Sequence, residues 1–408
     1  MLVHISQFTH AARPDLFKAS RDALAQFLQR SEIGFPQLTT RMHLWQQSYE
    51  VGQEMARRFK KIVIVGLGGS SLGTRVIQEV FNSKQMFFVD NVDALEFDSL
   101  IEDLGELKDI CWAFISKSGT TIESLCALEM LEQIYRDESL SLAEHSVVIS
   151  ETKESSLVSW AKHYGVKTCE IPVDVGGRFS VLSPVGMMPA AFLGLDLEKF
   201  RLGAKAALED HSVVAQVMVQ LIQSFERGEW ITLLWSYNSR LKNFGGWFQQ
   251  LWAESLGKAV KRDGSPAPRV SSPMAAIGAS DQHSILQQVI EGTKDKFVIF
   301  QRVDEAEGGS RRIVEPQFKE TQVLHGRTMG DLLRAEVLAT QEALTQRGVS
   351  TMTLKLARLD EESLGYQFMF WQLVVSGIGE YLGINAFDQP GVELGKVLAK
   401  HKLTDRSF

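Results

Sequence analysis

From Lys60 onward, short unbroken apolar runs alternate with helix-length amphipathic segments, and no other feature restricts the possible folds so strongly. KIVIV (61–65), MFFV (86–89), ICWAFIS (110–116) and SVVIS (146–150) are too short for buried helices and are rich in β-branched and aromatic residues. Runs of this kind separated by helices are what a parallel sheet covered on both faces requires. CEIPV (169–173) closes the first set, and WITLLWS (230–236), KFVIFQRV (296–303) and STMTLKLA (350–357) form a second. The helices between them include GWFQQLWAESL, DQHSILQQVIE and TMGDLLRAEVLATQEAL, and Leu364–Leu382 predicts a long buried terminal helix. The expected class is therefore α/β, with two tandem doubly wound parallel-sheet units. Their expected ranges are residues 46–197 and 198–408, with residues 1–45 forming a helical segment that packs on the second.

A chain of 408 residues with 44% hydrophobic side chains can bury a core without staples. Its three cysteines, Cys111, Cys126 and Cys169, are odd in number and form no CxxC, which predicts a reducing, cytoplasmic setting. The N-terminus lacks the basic and apolar segments of a signal peptide. The apolar stretch 368–384 is interrupted by Gln372 and Glu380, so a buried helix is expected and no membrane partner. A formal charge of −7 without a Lys/Arg block argues against nucleic acid as a partner. One local anion site remains compatible with that balance.

Two loops supply such a site. GLGGSSLG follows the first apolar run, yet it matches a dinucleotide fingerprint only partly and fails as a P-loop, since Thr74-Arg75 stands where Lys-Ser/Thr is needed. Its glycines still permit close backbone approach, and a helix starting near Ser70–Ser71 would present free N–H groups to an anion. A plain strand–helix turn is the alternative. The second loop, Ser116-Lys117-Ser118-Gly119-Thr120-Thr121, places four hydroxyls and an ammonium before another helix, donors suited to a phosphate. Both loops should open on one sheet edge. The nine histidines show neither HxH nor HExxH, so neither metal nor cofactor is expected.

VGLGGSSLG and SKSGTT together resemble the sugar-isomerase (SIS) fold, and four further segments narrow the resemblance. VGGRFS (175–180) with the VLSPVG that follows, FDQPGVE (387–393) ending at Lys396, FQQLWAESLGK (248–258) and SDQHS (280–284) are similar to the glucose-6-phosphate isomerase family, in family order. Two positions depart from the pattern: Val173, where many relatives carry an acidic residue, and Leu256, where many carry Asn.

The resemblance implies interconversion of D-glucose 6-phosphate and D-fructose 6-phosphate through an enediolate, an activity of glycolysis and gluconeogenesis. It assigns Glu254 as the base that moves a proton between C1 and C2, and a carboxylate suits that task because its two oxygens can serve both carbons. Trp247, Phe248, Leu251 and Trp252 precede it at helical spacing and are expected to confine it. The resemblance further implies His283 and Lys396 in ring opening, with His283 entering from the neighbouring subunit of a homodimer. Arg178 would stabilise the enediolate oxygen, and Gly177 would let the backbone approach the ligand. Gly69, Ser70, Ser116, Lys117, Ser118 and Thr121 would hold the phosphate, Gln250 and Gln389 the sugar, and Glu123 would orient Lys396. An isomerase that also accepts mannose 6-phosphate, the epimer at C2, is the alternative, and the sequence does not distinguish the two.

Overall fold

The computed structural model describes residues 3–405. In chain order these form β1 (Val3–Ser6), α1 (Pro14–Leu28), α2 (Met42–Arg58), β2 (Lys61–Val65), α3 (Leu72–Val80), β3 (Met86–Val89), α4 (Ala94–Leu104) and β4 (Ile110–Ile115). They continue with α5 (Ile122–Asp137), β5 (Ser146–Ser150), α6 (Ser156–Tyr164), β6 (Lys167–Glu170), α7 (Pro184–Phe192), α8 (Leu197–Glu209), α9 (His211–Glu226) and β7 (Ile231–Ser236). The remainder is α10 (Lys242–Leu256), β8 (Ser272–Ile277), α11 (Leu286–Glu291), β9 (Lys296–Val303), α12 (Met329–Gln346), β10 (Ser350–Leu356), α13 (Glu361–Tyr381) and α14 (Glu393–Thr404).

The first sheet has the order β3-β2-β4-β5-β6, and every pairing in it is parallel. The chain starts at β2, adds β3 on one side and then β4 on the other, so the strand order reverses between β2 and β4. In doubly wound sheets the crevice at the carboxyl ends of two such strands is the usual ligand position. The Gly66–Ser71 and Ser116–Thr121 loops leave β2 and β4 at that point. The second sheet repeats the plan with β7 between β8 and β9, in the order β1-β10-β9-β7-β8. Two doubly wound α/β units are thus formed, as the run pattern predicts.

Three local readings change. The opening residues are not helical throughout: Val3–Ser6 pairs antiparallel with β10, capping an otherwise parallel sheet. Ser272–Ile277, with a proline and few large apolar side chains, is a strand that the run pattern did not mark, placed at the sheet edge where Pro273 is tolerated. The run at 169–173 stops pairing at Glu170, ahead of Pro172.

Helix α13 is the long buried helix expected near the C-terminus, with every residue from Ser363 to Glu380 buried. It starts at a capping box between Asp360 and Ser363. Its buried Glu380 is satisfied by Arg30 and by both arms of Arg262, the arrangement a buried carboxylate needs. Among the described residues, no helix is long and apolar enough to cross a membrane.

Candidate active site

Helix α10 has two faces. Phe244, Trp247, Phe248, Leu251 and Trp252 are buried in the core, where Trp247 meets Phe368 and Phe248 meets Trp371. The aromatics therefore anchor the helix and do not wall in Glu254, which corrects the expectation from their spacing. Gly246, Gln250 and Glu254, four residues apart, line the opposite and partly open face. Glu254 keeps a third of its side chain exposed.

Arg178 closes on that face from a single helical turn at Gly177–Phe179. Its Nη1 donates to Glu254 Oε2 and to Gln389 Oε1, each at 3.1 Å. Its Nε donates to Ser255 Oγ at 2.7 Å, and Nη2 donates to the carbonyls of Ala386 at 2.5 Å and Asp388 at 3.1 Å. The other oxygen of Glu254 accepts from Gln250 Nε2 at 3.1 Å. Only 3% of the Arg178 side chain is exposed. Burial pulls its guanidinium down from the usual range, and the Glu254 carboxylate, followed by Asp388, opposes that pull. The fork stays cationic and is held in one orientation.

The first glycine loop meets this wall. A side chain at Gly69 would lie 2.3 Å from the Gly177 backbone and 2.7 Å from the Arg178 nitrogen, so only glycine lets the two turns touch. Gly68 has φ +56°, and a Cβ there would lie 2.8 Å from Gln250 Nε2. At Gly177 a Cβ would meet nothing within 4 Å, so that backbone borders open space. Ser70 lies against the end of β4, since a Cβ on Gly66 would contact both Ser70 and the Ile115 carbonyl.

The second loop is braced from β5. Ser150 Oγ donates to the Ser116 carbonyl at 2.7 Å, and Ser116 Oγ shares a 2.8 Å bond with Thr121 Oγ1 while accepting from Gly119 N. Ser118 Oγ accepts from Thr120 N and Oγ1. Lys117 Nζ donates to the Val173 carbonyl at 3.1 Å and lies 3.4 Å from Glu151. Helix α5 starts at once after this loop, so its N-terminal amides and dipole add to the anion-attracting character.

One expected residue lies apart from this cluster. His283 is exposed and ends a single helical turn at Ser280–His283, not the helix start expected of it. The turn is pinned by Gln282 Nε2, which donates to Tyr237 Oη and Thr340 Oγ1 at 2.7 Å each. Helix α10 runs antiparallel to β8, with Gly245 against Ala275 and Trp252 Nε1 donating to the Ser271 carbonyl. Glu254 therefore sits at the amino end of β8 and His283 beyond its carboxyl end, roughly 20 Å away for a strand of this length. Lys396 stands exposed on α14, one segment beyond Gln389. Glu123 is in the first turn of α5.

Sequence reasoning missed Ser255, Asp388 and Lys258. Lys258 Nζ donates to the Asp388 carbonyl and, at 2.9 Å, to Asp388 Oδ1, with 7% of the lysine side chain exposed. Ser255 and Lys258 adjoin Glu254 within the matched motif, which was the signal available for them. A separate groove of about 700 Å³, lined by Met42, Tyr49, Leu195 and Asp196 among others, shares no residue with the cluster.

Residues 36–407 match the family described as phosphoglucose isomerase. The glucose-6-phosphate isomerase of Campylobacter jejuni is 34% identical over 388 residues, covering 92% of this chain and 93% of that protein. The crystal structure of a glucose-6-phosphate isomerase from Chlamydia trachomatis superposes with a TM-score of 0.76 at 25% identity, over 98% of this chain and 80% of that one. A tagatose-6-phosphate ketose/aldose isomerase from Escherichia coli, at 13% identity, shares the fold with a TM-score of 0.54, over 93% of this chain and 94% of that one.

Proposed function

The chain belongs to the phosphoglucose isomerase family and its activity is glucose-6-phosphate isomerisation; we propose that it interconverts glucose 6-phosphate and fructose 6-phosphate without metal or cofactor, by ring opening and proton transfer through a cis-enediolate. The observation that carries this mechanism is the pairing of Glu254 with Arg178 on the open face of α10. Glu254 takes the proton from one carbon and returns it to the other. Its carboxylate is held between Gln250 and Arg178, so both oxygens face a defined direction. Arg178 places a fixed positive charge where the enediolate oxygen develops, a contribution worth on the order of 3 kcal/mol in comparable sites.

The phosphate is received by Ser116, Lys117, Ser118 and Thr121 with Gly69 and Ser70, and the sugar by Gly177, Gln250 and Gln389. The juxtaposition of the two loop ends at the reversal of strand order supports that assignment. The cleft lies between the units 46–197 and 198–408, the N-terminal segment belonging with the second. Helix α1 packing on α9 and α13 favours this division, as does β1 pairing with β10. Lys396 acts on the ring oxygen. His283 serves the site of a second subunit, and its separation from Glu254 along α10 favours that reading over a role in its own chain. The three free thiols fit a cytoplasmic setting.

A coupled assay for fructose 6-phosphate conversion in the presence of chelator tests the reaction. Turnover should survive the chelator and be nearly abolished in Glu254→Gln; full activity in that variant would refute the assigned base. Sharing of the site is tested by mixing Glu254→Gln with His283→Ala. Random two-fold dimers should regain about a quarter of wild-type turnover, because half the dimers are mixed and each holds one intact site. No recovery after subunit exchange would place His283 elsewhere.

A further inference from the structure

The Arg178 fork is surrounded by acceptors, and one of them is a potential competitor. Asp388 presents a full carboxylate one residue before Gln389, close enough to Arg178 to act on its charge. Yet Arg178 donates to the Asp388 carbonyl and not to its carboxylate. Lys258 takes the carboxylate in its place. It follows the end of α10, with an ammonium that spans the Asp388 carbonyl and Oδ1. The remaining oxygen, Oδ2, accepts from Asn385 Nδ2 at 2.8 Å, and Asn385 Oδ1 in turn accepts from Phe387 N. Both oxygens of Asp388 are therefore engaged by donors other than Arg178.

We propose that Lys258 is a positioning residue of the isomerase site: it holds the Asp388 carboxylate so that the Arg178 fork stays on Glu254 and Gln389. The charges in this corner, Arg178 and Lys258 against Glu254 and Asp388, cancel in pairs. Removing the lysine leaves the half-exposed Asp388 carboxylate without its counter-charge beside a guanidinium, and the strongest bond open to both is the bidentate one between them. Forming it draws Arg178 off Glu254 and turns the segment that bears Gln389. A purely structural lysine would lower stability and leave the reaction untouched. Lys258 acts through Arg178, so its loss falls on turnover more than on substrate binding.

The inference rests on the assignment of Glu254 and Arg178, and its test separates the two. Lys258→Met should lower kcat by at least about 30-fold with KM changed less than about threefold. Adding Asp388→Asn, which removes the competing charge and keeps the carbonyl, should restore at least about tenfold of that loss, a non-additivity expected only of coupled residues. If Lys258→Met does not fold, Lys258→Gln keeps a donor toward the carbonyl and carries the same pair of expectations. A Lys258 variant within threefold of wild type, or a double variant no better than the single, would overturn the proposal. Glu254→Gln with full activity would instead remove the site reading beneath it.

Discussion

Arg178 and Lys117 are both cations at the mouth of the first sheet, and they are held in opposite ways. Arg178 is almost wholly buried, and each of its three nitrogens is committed to acceptors drawn from α10 and from the 386–389 segment. Lys117 has a third of its side chain exposed and rests on the Val173 carbonyl and Glu151. The contrast matches two different demands. Charge that stabilises a transition state must not reorganise during the reaction, and that requires a fork fixed beforehand. Charge that captures a phosphate can rearrange as the ligand arrives, and a flexible ammonium on a hydroxyl-rich loop can do that.

Substitutions at the two cations should separate along the same line. Arg178→Ala should lower kcat by about 10²–10³-fold and also reduce stability, since it strips a partner from Ser255 and from the buried Ala386 carbonyl. If its main effect were on KM, the distinction between the two cations would fail. Lys117→Ala should raise KM about tenfold with kcat within threefold of wild type, the pattern of lost uniform binding. A dominant kcat loss there would mean that the loop takes part in the chemical step.

A smaller effect sharpens the comparison at the segment joining the two cations. Asp174 follows Val173, and Arg41 holds its carboxyl below the usual value near 3.8. A carboxyl lowered in the folded state stabilises fully above its unfolded value, and that contribution is lost as pH falls through the folded value. Melting temperatures of wild type and Asp174→Asn should therefore differ at pH 7, begin to converge as pH falls below about 4, and meet only below the lowered folded value. A gap that stays constant across that range would show that the pair contributes through shape and not charge.

The legible parts of this protein were those whose information is local. Runs such as KIVIV and ICWAFI declare buried parallel strands because both faces must be apolar, and all seven such runs before the first-set terminator and in the second set became strands. Val3–Ser6 and Ser272–Ile277 were illegible because edge strands need no such run. At the site, Glu254 and Arg178 were visible through their motifs, while the lock behind them was not. Lys258 and Asp388 are 130 positions apart, and no periodicity links them before the chain has folded. The aromatic residues before Glu254 misled for a related reason: helical spacing shows that they share a face, and not which face the carboxylate shares.

The central claim is that one carboxylate, Glu254, carries the proton between neighbouring carbons. Its most direct test is the loss of deuterium to water from glucose 6-phosphate labelled at C2, compared between wild type and Glu254→Gln of equal thermal stability. The account predicts measurable washout with wild type, because the abstracted deuteron rests on an open carboxyl, and none with the variant. Washout by Glu254→Gln at the wild-type rate would contradict it.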